Sequence, residues 1–566
     1  MRMTTYATRT RPDFLTDYAP TRYRRRLTPF SRVPATGRIG EVWHLAARNH
    51  PGQRVIVDRA PDVVPEAPSQ ATFPAWAALV DDLAGRLYAM GVREWDRVAV
   101  VKRNHLDVAL LASAAARIGA VPALISDNHA PDTLAVLLER LQRPYVVTDR
   151  RALAAMELGS VAVASLTERT ACVDGVPAGR PDVLDFGALR GAPVPVRRLR
   201  AYDEPMVITH TSGTTGVPKL VLHSAATLYS LGLVEAERWP VFRLRKDDTV
   251  AFCQPYSHQR VVTGLLPLTT VGPTLLMLSD PQGPGLRELL VEHAPTLVET
   301  LPNAFLAWED LARDPDRPFR RVRVFVNSFD AIHTRTIRTF LAATDRRFPV
   351  WVQAWSQTEA GAVAIRPYVR RSVRRRGHRP PPTQLLGWPV PGFGRLRAVD
   401  PATGEAVPPG AVGLIQFSAP GRCLAYVGER ARHDRKREGD WWNLGDMAVV
   451  NRWGAVRLID REVDRIPGAS ALEIEDVLLD RLPVTTEVIV LAVQDGLPQP
   501  VYSTRDDVPV EADRWRAATA GLPDLAEPFH IRWDEFPRTA TWKVRRVELR
   551  EQLLAGTSGI GLGKWT

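Results

Sequence analysis

Apolar residues near the start of the chain alternate between helical spacing and the short continuous runs typical of buried strands. Residues 73–90 carry apolar side chains at helical spacing, and Gly91 ends the pattern. The run DRVAVV (96–101) then predicts a short buried strand, and residues 106–120 predict a second helix. Helices and strands that alternate at this interval build parallel sheets with helices packed on their faces. The sequence therefore predicts an α/β fold.

The pattern changes along the rest of the chain. The alternation returns at 291–326, whereas glycine, proline and short strands dominate after about residue 395 and predict a small antiparallel lobe. The C-terminal end predicts a small α+β unit. The predicted organisation is an arginine-rich lead-in (1–36), a large N-terminal domain of layered α/β subdomains with the antiparallel lobe (37–460), and a small C-terminal domain (465–566).

The composition is that of a soluble protein of the cell interior. Of the 566 residues, 45% are apolar and 24% are charged, as in ordinary globular proteins. The opening residues contain no apolar run typical of a signal peptide, and Arg117 and Pro122 interrupt the most apolar long window (106–125), which predicts no membrane span. The three cysteines lie far apart without metal-ligand spacing, which is typical of a reducing cytoplasm. We therefore expect a cytoplasmic protein with no membrane partner.

The net charge of +11 raises the question of nucleic-acid binding. Arginine is concentrated in two runs, TRYRRRL (21–27) and RRSVRRRGHR (370–379). Neither run alternates with aromatic residues as a single-strand binding groove does, and no zinc-finger or helix-turn-helix spacing accompanies them. We therefore expect no nucleic-acid partner. The second run is either a solvated loop or a docking surface for an acidic carrier protein.

One loop points to a bound phosphate. The stretch THTSGTTGVPK (209–219) follows the apolar run MVI (206–208) and combines hydroxyl side chains, glycines and Lys219, one of only six lysines in the chain. Backbone N–H groups and hydroxyls of a flexible loop after a strand bind anions, and a lysine adds a compact positive charge. The Walker pattern is excluded, because Pro218 precedes the lysine and Leu220 follows it. The alternative interpretation is an ordinary surface loop rich in serine and threonine, with no bound ligand.

The same stretch resembles the phosphate-loop signature of the adenylate-forming superfamily of acyl-CoA synthetases, aryl-acid ligases, luciferases and carrier-protein adenylation domains. Further superfamily motifs follow in the expected order: QPYSH (254–258), WSQTEAG (355–361), LLGWPVPG (385–392), GEAVPPGAVG (404–413), LGDMAVV (444–450), LIDREVD (458–464) and PRTATWKVRR (537–546). The resemblance implies an N-terminal AMP-binding domain and a small mobile C-terminal domain that carries the catalytic lysine.

The resemblance also implies which residues hold ATP and Mg²⁺. They are Thr211, Ser212, Gly213, Thr214, Thr215, Gly216, Lys219, Trp355, Thr358, Glu359, Asp446 and Arg461. Glu359 offers the hard oxygen ligand that Mg²⁺ prefers, and we expect it to act in catalysis. Asp446 and Arg461 are expected to bind the ribose, and Trp355 to stack on adenine. Lys543 is expected to contact the attacking carboxylate and the α-phosphate and so to be catalytic. Taken singly, each residue also fits a structural role.

The implied substrate pocket is lined by His258, Phe329, Asp330 and Ser356. His258 is expected to lie near the reacting carboxylate and act in catalysis, the alternative being a histidine packed beneath a loop. The chain departs from the superfamily at three glycine positions, which here are Phe329, Ser356 and Trp542. Because phenylalanine in place of glycine reduces the space of the pocket, the sequence favours a small or aromatic substrate over a long-chain fatty acid.

The acceptor of the activated group is less constrained. Asp464 is the expected hinge, with Arg461 as the alternative, and the loop that follows is shorter than in the superfamily, with Pro467 at a lysine position. In the superfamily this loop helps to form the channel for a pantetheine arm after the C-terminal domain rotates. The shorter loop argues against CoA as the acceptor, and CoA, a phosphopantetheinyl carrier protein and an amine stay open as alternatives.

Three functions remain at this point. The first is an enzyme that uses ATP to convert a carboxylate into an acyl-adenylate with release of pyrophosphate, and then passes the acyl group to a thiol or an amine. The second is an adenylating ligase that activates a non-carboxylate such as nitrite for diazotisation of an arylamine. The third is a catalytically inactive nucleotide-binding protein, which the presence of Lys219, Glu359 and Lys543 argues against.

Overall fold

The computed structural model of the chain describes residues 37–212, 217–236, 239, 242–374, 382–390, 393–461, 470–493, 496–539 and 542–554. The lead-in predicted for 1–36 lies outside them. The helices are α1 Val42–Asn49, α2 Phe73–Met90, α3 Asp107–Arg117, α4 Pro131–Arg140, α5 Arg150–Glu157, α6 Val163–Leu166, α7 Ala225–Ala236, α8 Gln259–Val271, α9 Leu286–His293, α10 Pro302–Ala307, α11 Thr334–Ala342, α12 Arg430–Arg435, α13 Ala471–Arg481, α14 Ala512–Thr519 and α15 Arg546–Leu554.

The strands are β1 Arg54–Val57, β2 Gln70–Thr72, β3 Arg97–Lys102, β4 Val121–Ser126, β5 Tyr145–Thr148, β6 Arg169–Cys172, β7 Val183–Asp185, β8 Pro205–His210, β9 Leu220–Ser224, β10 Thr249–Cys253, β11 Thr274–Leu278, β12 Leu297–Thr300, β13 Val324–Asn327, β14 Val350–Gln357, β15 Gly361–Tyr368, β16 Leu385–Gly387, β17 Arg395–Val399, β18 Val412–Ser418, β19 Ala425–Tyr426, β20 Arg437–Glu438, β21 Trp441–Val450, β22 Val456–Arg461, β23 Thr485–Leu491, β24 Gln499–Thr504 and β25 Phe529–His530.

Helix α2 illustrates how local sequence sets an element. It begins after Thr72 with a proline in its first turn, where the missing N–H has no helical partner in any case. Gly91 ends it in the left-handed region (φ 110°), and its N–H donates to the carbonyls of Leu87 and Tyr88. The helix thus begins and ends where the helical spacing of apolar residues in the sequence begins and ends.

The described residues form two compact units. The first contains the described residues up to Leu286, together with Thr358–Gly361 and Ala419–Arg437. Its main sheet has the strand order β19-β9-β8-β4-β3-β5-β6-β7. The pairs from β8 to β7 are parallel, whereas β9 pairs antiparallel with β8 and with β19. Every residue of β4 and β8 is buried, as expected for central parallel strands covered on both faces.

The second unit contains Arg287–Gln357, Ala362–Ser418 and the described residues from Glu438 onward. Strands β12, β13 and β14 pair in parallel, and β16, β22, β21, β18 and β17 pair antiparallel in that order. This second sheet is the predicted antiparallel lobe. It forms because short strands joined by glycine and proline turns pair with their chain neighbours.

The C-terminal residues of the second unit have their own apolar core. Strands β23, β24 and β25 form a three-stranded sheet, and helix α13 packs on it through Leu478 and Leu479. The other face of this sheet packs against Phe536 and Leu549. The fold is therefore the predicted α/β fold with a large N-terminal and a small C-terminal domain. The boundary between 460 and 465 remains a prediction.

Among the helices described, none combines the length and the apolar character needed to cross a membrane.

Candidate active site

The hydroxyl and glycine loop connects two antiparallel strands, β8 and β9. At its base the Thr211 N–H donates to the Lys219 carbonyl (3.0 Å), and the Lys219 N–H donates to Thr211 Oγ1 (3.1 Å). Ser212 is half-buried. The predicted phosphate ligands Gly213, Thr214, Thr215 and Gly216 lie outside the described residues. The loop follows a buried strand, which is the arrangement that exposes backbone N–H groups to an anion.

A buried histidine fixes the start of this loop. His210 Nδ1 lies 2.8 Å from the Thr211 carbonyl, and His210 Nε2 lies 3.2 Å from the backbone N–H of Ser126. These partners require a neutral ring that donates through Nδ1 and accepts through Nε2. Burial lowers the pKa of His210, which agrees with the neutral form. Strand β4 and the phosphate loop are thereby connected through one side chain.

Glu359 lies buried in the same unit beside Lys219. Lys219 Nζ is 3.5 Å from Glu359 Oε1, and Tyr426 Oη donates to the same oxygen at 2.5 Å. Burial alone would raise the pKa of Glu359, but the charges of Lys219 and Lys436 and the Tyr426 hydrogen bond outweigh it and lower the pKa to about 2. Glu359 is therefore a carboxylate at neutral pH.

The backbone around Glu359 is fixed by two further contacts. His223 Nε2 donates to the Thr358 carbonyl at 2.9 Å, and the Cys423 N–H donates to the Glu359 carbonyl at 2.7 Å. Burial lowers the pKa of His223 to about 4, so its ring is neutral near pH 7. The carboxylate of Glu359 is thus held through its backbone as well as through its side chain.

His258 contacts the same segment. Its Nδ1 accepts the backbone N–H of Arg260 at the start of helix α8 (3.0 Å). In the neutral ring Nε2 then carries the proton, and it donates to Thr358 Oγ1 at 3.3 Å. His258 is half-buried, and the structure places it next to Thr358, the residue before Glu359.

The residues around Glu359 fit a metal ion that takes only part of its ligands from protein. The contacts of the carboxylate with Lys219 and Tyr426 both go to Oε1, and the described residues give Oε2 no hydrogen bond. No group of three or more histidine, cysteine or acidic side chains that could hold a metal occurs in the described part of the chain. Mg²⁺ binds in this way, through one or two carboxylates together with water and phosphate oxygens.

Asp446 and Arg461 lie on adjacent strands of the second unit. They are directly paired in the antiparallel register of β21 and β22. Asp446 is buried, and Gln357 Nε2 approaches its Oδ2 at 3.5 Å while donating to the Leu444 carbonyl at 2.6 Å. Trp355 is half-buried two residues before Gln357 on strand β14. The structure thus brings the two predicted ribose ligands together on adjacent strands.

Three residues stand where the superfamily has glycine, and two of them have the backbone conformation that glycine favours. Phe329 has φ 80° and Trp542 has φ 62°, both in the left-handed region. Ser356 lies within strand β14 and is not among the residues with positive φ. Phe329 is half-buried and Asp330, which follows it, is exposed. The left-handed φ of these two residues agrees with the prediction that they stand at glycine positions of the superfamily.

Lys543 is buried in a hairpin of the second unit. Arg538 and Val544 form an antiparallel bridge, and the Thr539 N–H donates to the Lys543 carbonyl at 2.8 Å. The carbonyl of Trp542, immediately before the lysine, accepts from Arg538 Nη1 at 3.2 Å and from the side-chain amide of Asn303 in helix α10. The backbone at Lys543 is thus held from two directions.

The predicted site residues fall into two groups, one in each unit. The first unit contains Thr211, Ser212, Lys219, His258, Thr358 and Glu359. The second contains Phe329, Asp330, Trp355, Ser356, Asp446, Arg461 and Lys543. The predicted hinge, Asp464, lies outside the described residues. Sequence reasoning missed Tyr426, His223 and Asn303, because each acts through a partner far away in the chain.

The chain is similar to known proteins along most of its length. The family model for AMP-binding enzymes matches residues 43–427. The chain is 38% identical over 532 residues to a 3-amino-2-hydroxy-4-methoxybenzoate diazotase of Streptomyces cremeus, covering 90% of this chain and 94% of that protein. It is 25% identical to a 3-aminoavenalumate diazotase of a Streptomyces species, covering 88% and 91%.

The fold also matches a solved structure. A crystal structure of an anthranilate CoA ligase in complex with anthranoyl-AMP superposes with a TM-score of 0.75 at 19% identity, covering 93% of this chain and 99% of that one. Since the family model spans more than half of the chain and the diazotase of Streptomyces cremeus aligns with nearly all of it, this protein belongs to the AMP-binding enzyme family and is an ATP-dependent, adenylate-forming ligase.

Proposed function

We propose that this enzyme is a diazotase, which adenylates nitrite and transfers the nitrosyl group to an aromatic amine. The observation that carries the proposal is the 38% identity to a 3-amino-2-hydroxy-4-methoxybenzoate diazotase across 90% of the chain. The substrate class would be an aminobenzoate or a related aryl amine. A free amine as acceptor also agrees with the short loop after Arg461, where the superfamily builds a pantetheine channel.

In the first step a nitrite oxygen attacks the α-phosphorus of ATP and pyrophosphate leaves, which gives an adenylated nitrite with a P–O–N linkage. The loop from Thr211 to Lys219 would hold the phosphates, and Lys543 would stabilise the charge that develops at the α-phosphate. Asp446 and Arg461 would hold the ribose. Mg²⁺, bound by Glu359 and phosphate oxygens, would neutralise the charge of the triphosphate.

In the second step the amine nitrogen attacks the nitrosyl nitrogen, the O–N bond breaks, and AMP leaves with one nitrite oxygen. The amine gives up one proton to form the neutral N-nitrosoamine; this proton then returns, and the remaining amine hydrogen, the returned proton and the second nitrite oxygen leave together as water, which gives an aryl diazonium ion. The net reaction is arylamine, nitrite and ATP to aryl diazonium, AMP, pyrophosphate and water. His258 is the proposed carrier of the amine proton, once its Nδ1 has released the backbone N–H of Arg260.

The second candidate is adenylation of a carboxylate. The same residues could bind a carboxylate oxygen in place of nitrite, and the acyl group would pass to CoA, to an acyl carrier protein or to an amine. The half-buried Phe329, held at a glycine-type φ, reduces the space available to a substrate and favours a small or aromatic acid. A carrier protein would be the partner in this case.

An oxygen-isotope experiment separates the two candidates. The protein is incubated with ATP, Mg²⁺ and 3-aminobenzoate, with ¹⁸O either in nitrite or in the carboxylate, and AMP is analysed by mass spectrometry. We expect ¹⁸O in AMP from labelled nitrite only, and an azo dye when the product is trapped with 2-naphthol. Label from the carboxylate would instead establish acyl adenylation and overturn the proposal. A sample without protein controls for spontaneous diazotisation.

A further inference from the structure

One asparagine of the first unit joins the ends of three strands. Asn104 follows β3, and its Nδ2 donates to the carbonyl of Gln254 after β10 (3.1 Å) and to the carbonyl of Ser279 after β11 (2.7 Å). Its Oδ1 accepts the backbone N–H of Tyr256 at 2.6 Å. A side-chain amide combines donors and an acceptor in one planar group, and Asn104 uses both kinds to hold the backbone after β10.

The side chains of the held segment do not fix it themselves. Gln254 is 2% exposed, and neither polar atom of its side-chain amide has a hydrogen-bond partner among the described residues. The hydroxyl of the buried Tyr256 has none among them either. The segment is therefore held through its backbone, and Asn104 supplies the side-chain contacts that hold it.

The held segment leads directly into the turn that carries His258. The His258 N–H donates to the Pro255 carbonyl at 2.9 Å, which closes a four-residue turn before helix α8. The two residues whose backbone Asn104 holds flank Pro255 on either side. Because the turn is closed through the backbone, it keeps His258 in place even when Nδ1 of the ring releases the N–H of Arg260.

Buried charges fix the connection from β3 to α3 on which Asn104 lies. Lys102 Nζ, at the end of β3, lies 2.8 Å from Asp107 Oδ1, at the start of α3, and 2.7 Å from Asp62 Oδ2. The side chains of Lys102 and Asp107 are 0% exposed. Separating a buried ion pair leaves an uncompensated charge, so the pair keeps this connection closed. The Asn104 carbonyl also accepts from Arg59 Nη2 at 3.2 Å.

We propose that Asn104 is a positioning residue for the amine step, because it fixes the turn that holds the imidazole of His258. The inference rests on the proposed function, in which His258 carries the amine proton. The backbone of Lys219 and the carboxylate of Glu359 are held by other residues, Thr211 and Tyr426. Loss of the Asn104 side chain therefore slows transfer to the amine and leaves the adenylation of nitrite nearly unchanged.

A double-mutant cycle between Asn104 and His258 tests this role. Azo-dye formation from nitrite and 3-aminobenzoate, trapped with 2-naphthol, reports the amine step, and nitrite-dependent ATP–pyrophosphate exchange reports adenylation. Asn104→Ala should slow dye formation about tenfold, because proton transfer depends on the placement of the ring, and should leave exchange within about twofold. In the His258→Ala background the same substitution should change dye formation by less than about twofold. Equal losses in the two backgrounds would overturn the proposal.

Hydrogen exchange gives a second readout that does not depend on the reaction. The His258 N–H donates to the Pro255 carbonyl, so its exchange with deuterium measures how firmly the turn is closed. Mass spectrometry with electron-transfer fragmentation resolves this single amide. We expect it to exchange about tenfold faster in Asn104→Ala, because the backbone beside the turn loses its hydrogen bonds. An unchanged exchange rate would refute the positioning role.

Two further variants separate the hydrogen bonds from the shape of the side chain. Asn104→Asp keeps this shape and an acceptor for the Tyr256 N–H but lacks the donors, so its effects should be smaller than those of Asn104→Ala. It replaces the alanine variant in the cycle if that variant does not fold. The matched control is Asn451→Ala, because Asn451 Oδ1 accepts the backbone N–H groups of Trp453 and Ala455 in an exposed turn. Equal effects of the two alanine variants would contradict the proposal.

The positioning role and the proposed reaction can fail independently. If nitrite supports neither exchange nor dye formation in the unsubstituted protein, the reaction is wrong, and faster deuterium exchange in Asn104→Ala still supports the anchoring of His258. If the unsubstituted protein forms the dye and Asn104→Ala forms it at the same rate, the reaction stands and the positioning role is wrong.

Discussion

Tyr426 Oη lies 2.5 Å from Glu359 Oε1, although the two residues are 67 positions apart in the sequence. Burial and the nearby negative charge of Glu359 raise the pKa of Tyr426, so its hydroxyl stays protonated and always donates. With Lys219 on the same oxygen, the carboxylate is fixed in orientation and Oε2 is left for a metal ion. This tyrosine therefore determines how Glu359 is presented.

Tyr426→Phe removes the hydroxyl and little else. A hydrogen bond to a charged group is worth about 1.5–3 kcal/mol, so we expect the Mg²⁺ concentration for half-maximal pyrophosphate exchange to rise about tenfold or more. Binding of Mn²⁺ in the presence of ATP, followed by electron paramagnetic resonance, should weaken in parallel. The matched control is Tyr145→Phe, whose hydroxyl donates to the Gly91 carbonyl at 3.1 Å. Equal metal dependence in both variants would contradict this role.

The ionisation of Glu359 should appear in the pH dependence of stability. Its pKa is lowered to about 2 in the folded protein from 4.5, so its stabilising contribution is present above pH 4.5 and is lost as the pH falls toward 2. Between pH 7 and about pH 3.5 this amounts to about 1 kcal/mol of the free energy of unfolding. Glu359→Gln should lose less stability over this range in urea titrations. Parallel curves for the two proteins would argue against an ionised Glu359.

Lys543→Ala should remove the charge stabilisation at the α-phosphate. We expect the rate of ATP–pyrophosphate exchange to fall by ~10²–10³, because the lost group acts mainly in the transition state. The dissociation constant for ATP, measured by calorimetry, should change much less. Lys246→Ala replaces an exposed lysine and is the control. Retained exchange in Lys543→Ala would exclude this lysine as a catalytic residue.

Phe329→Gly should relieve backbone strain and enlarge the substrate site. A non-glycine residue at φ 80° is strained by on the order of 1 kcal/mol, which offsets part of the lost packing, so the melting temperature should change little. We expect the ratio of kcat/KM for 3-amino-2-naphthoate over 3-aminobenzoate to rise about tenfold. Phe348→Gly, at a 73% exposed position, is the control. An unchanged ratio would place Phe329 away from the substrate.

Those helices and strands whose bounds depend on neighbouring residues in the sequence could be predicted. Helix α2 has the bounds of its apolar periodicity, because Gly91 stops it at one end, and the short strands after residue 395 form the predicted antiparallel sheet. The contacts that fix the site could not be predicted in this way. His223 and Thr358 are 135 residues apart, and Asn303 and Trp542 are 239 apart. Residues this far apart in the chain become neighbours only in the folded protein, so the local spacing of apolar residues does not predict their contacts.

The resemblance adds what periodicity lacks, since it predicts glycine positions at Phe329 and Trp542, and both residues have the left-handed φ that glycine favours. The functions assigned to Asp446, Arg461 and Lys543 remain predictions, and the Lys543→Ala experiment tests the last of them.

The two aromatic residues at left-handed positions have a consequence for which substitutions the chain can accept there. Since the backbone at Phe329 and Trp542 already has the shape that glycine prefers, exchange between glycine and a bulky residue requires no rearrangement of the surrounding chain. A lineage can therefore fill or empty these two positions by single substitutions while the scaffold stays constant. Under the proposed function, the same two positions are the natural starting points for a library that selects new amines.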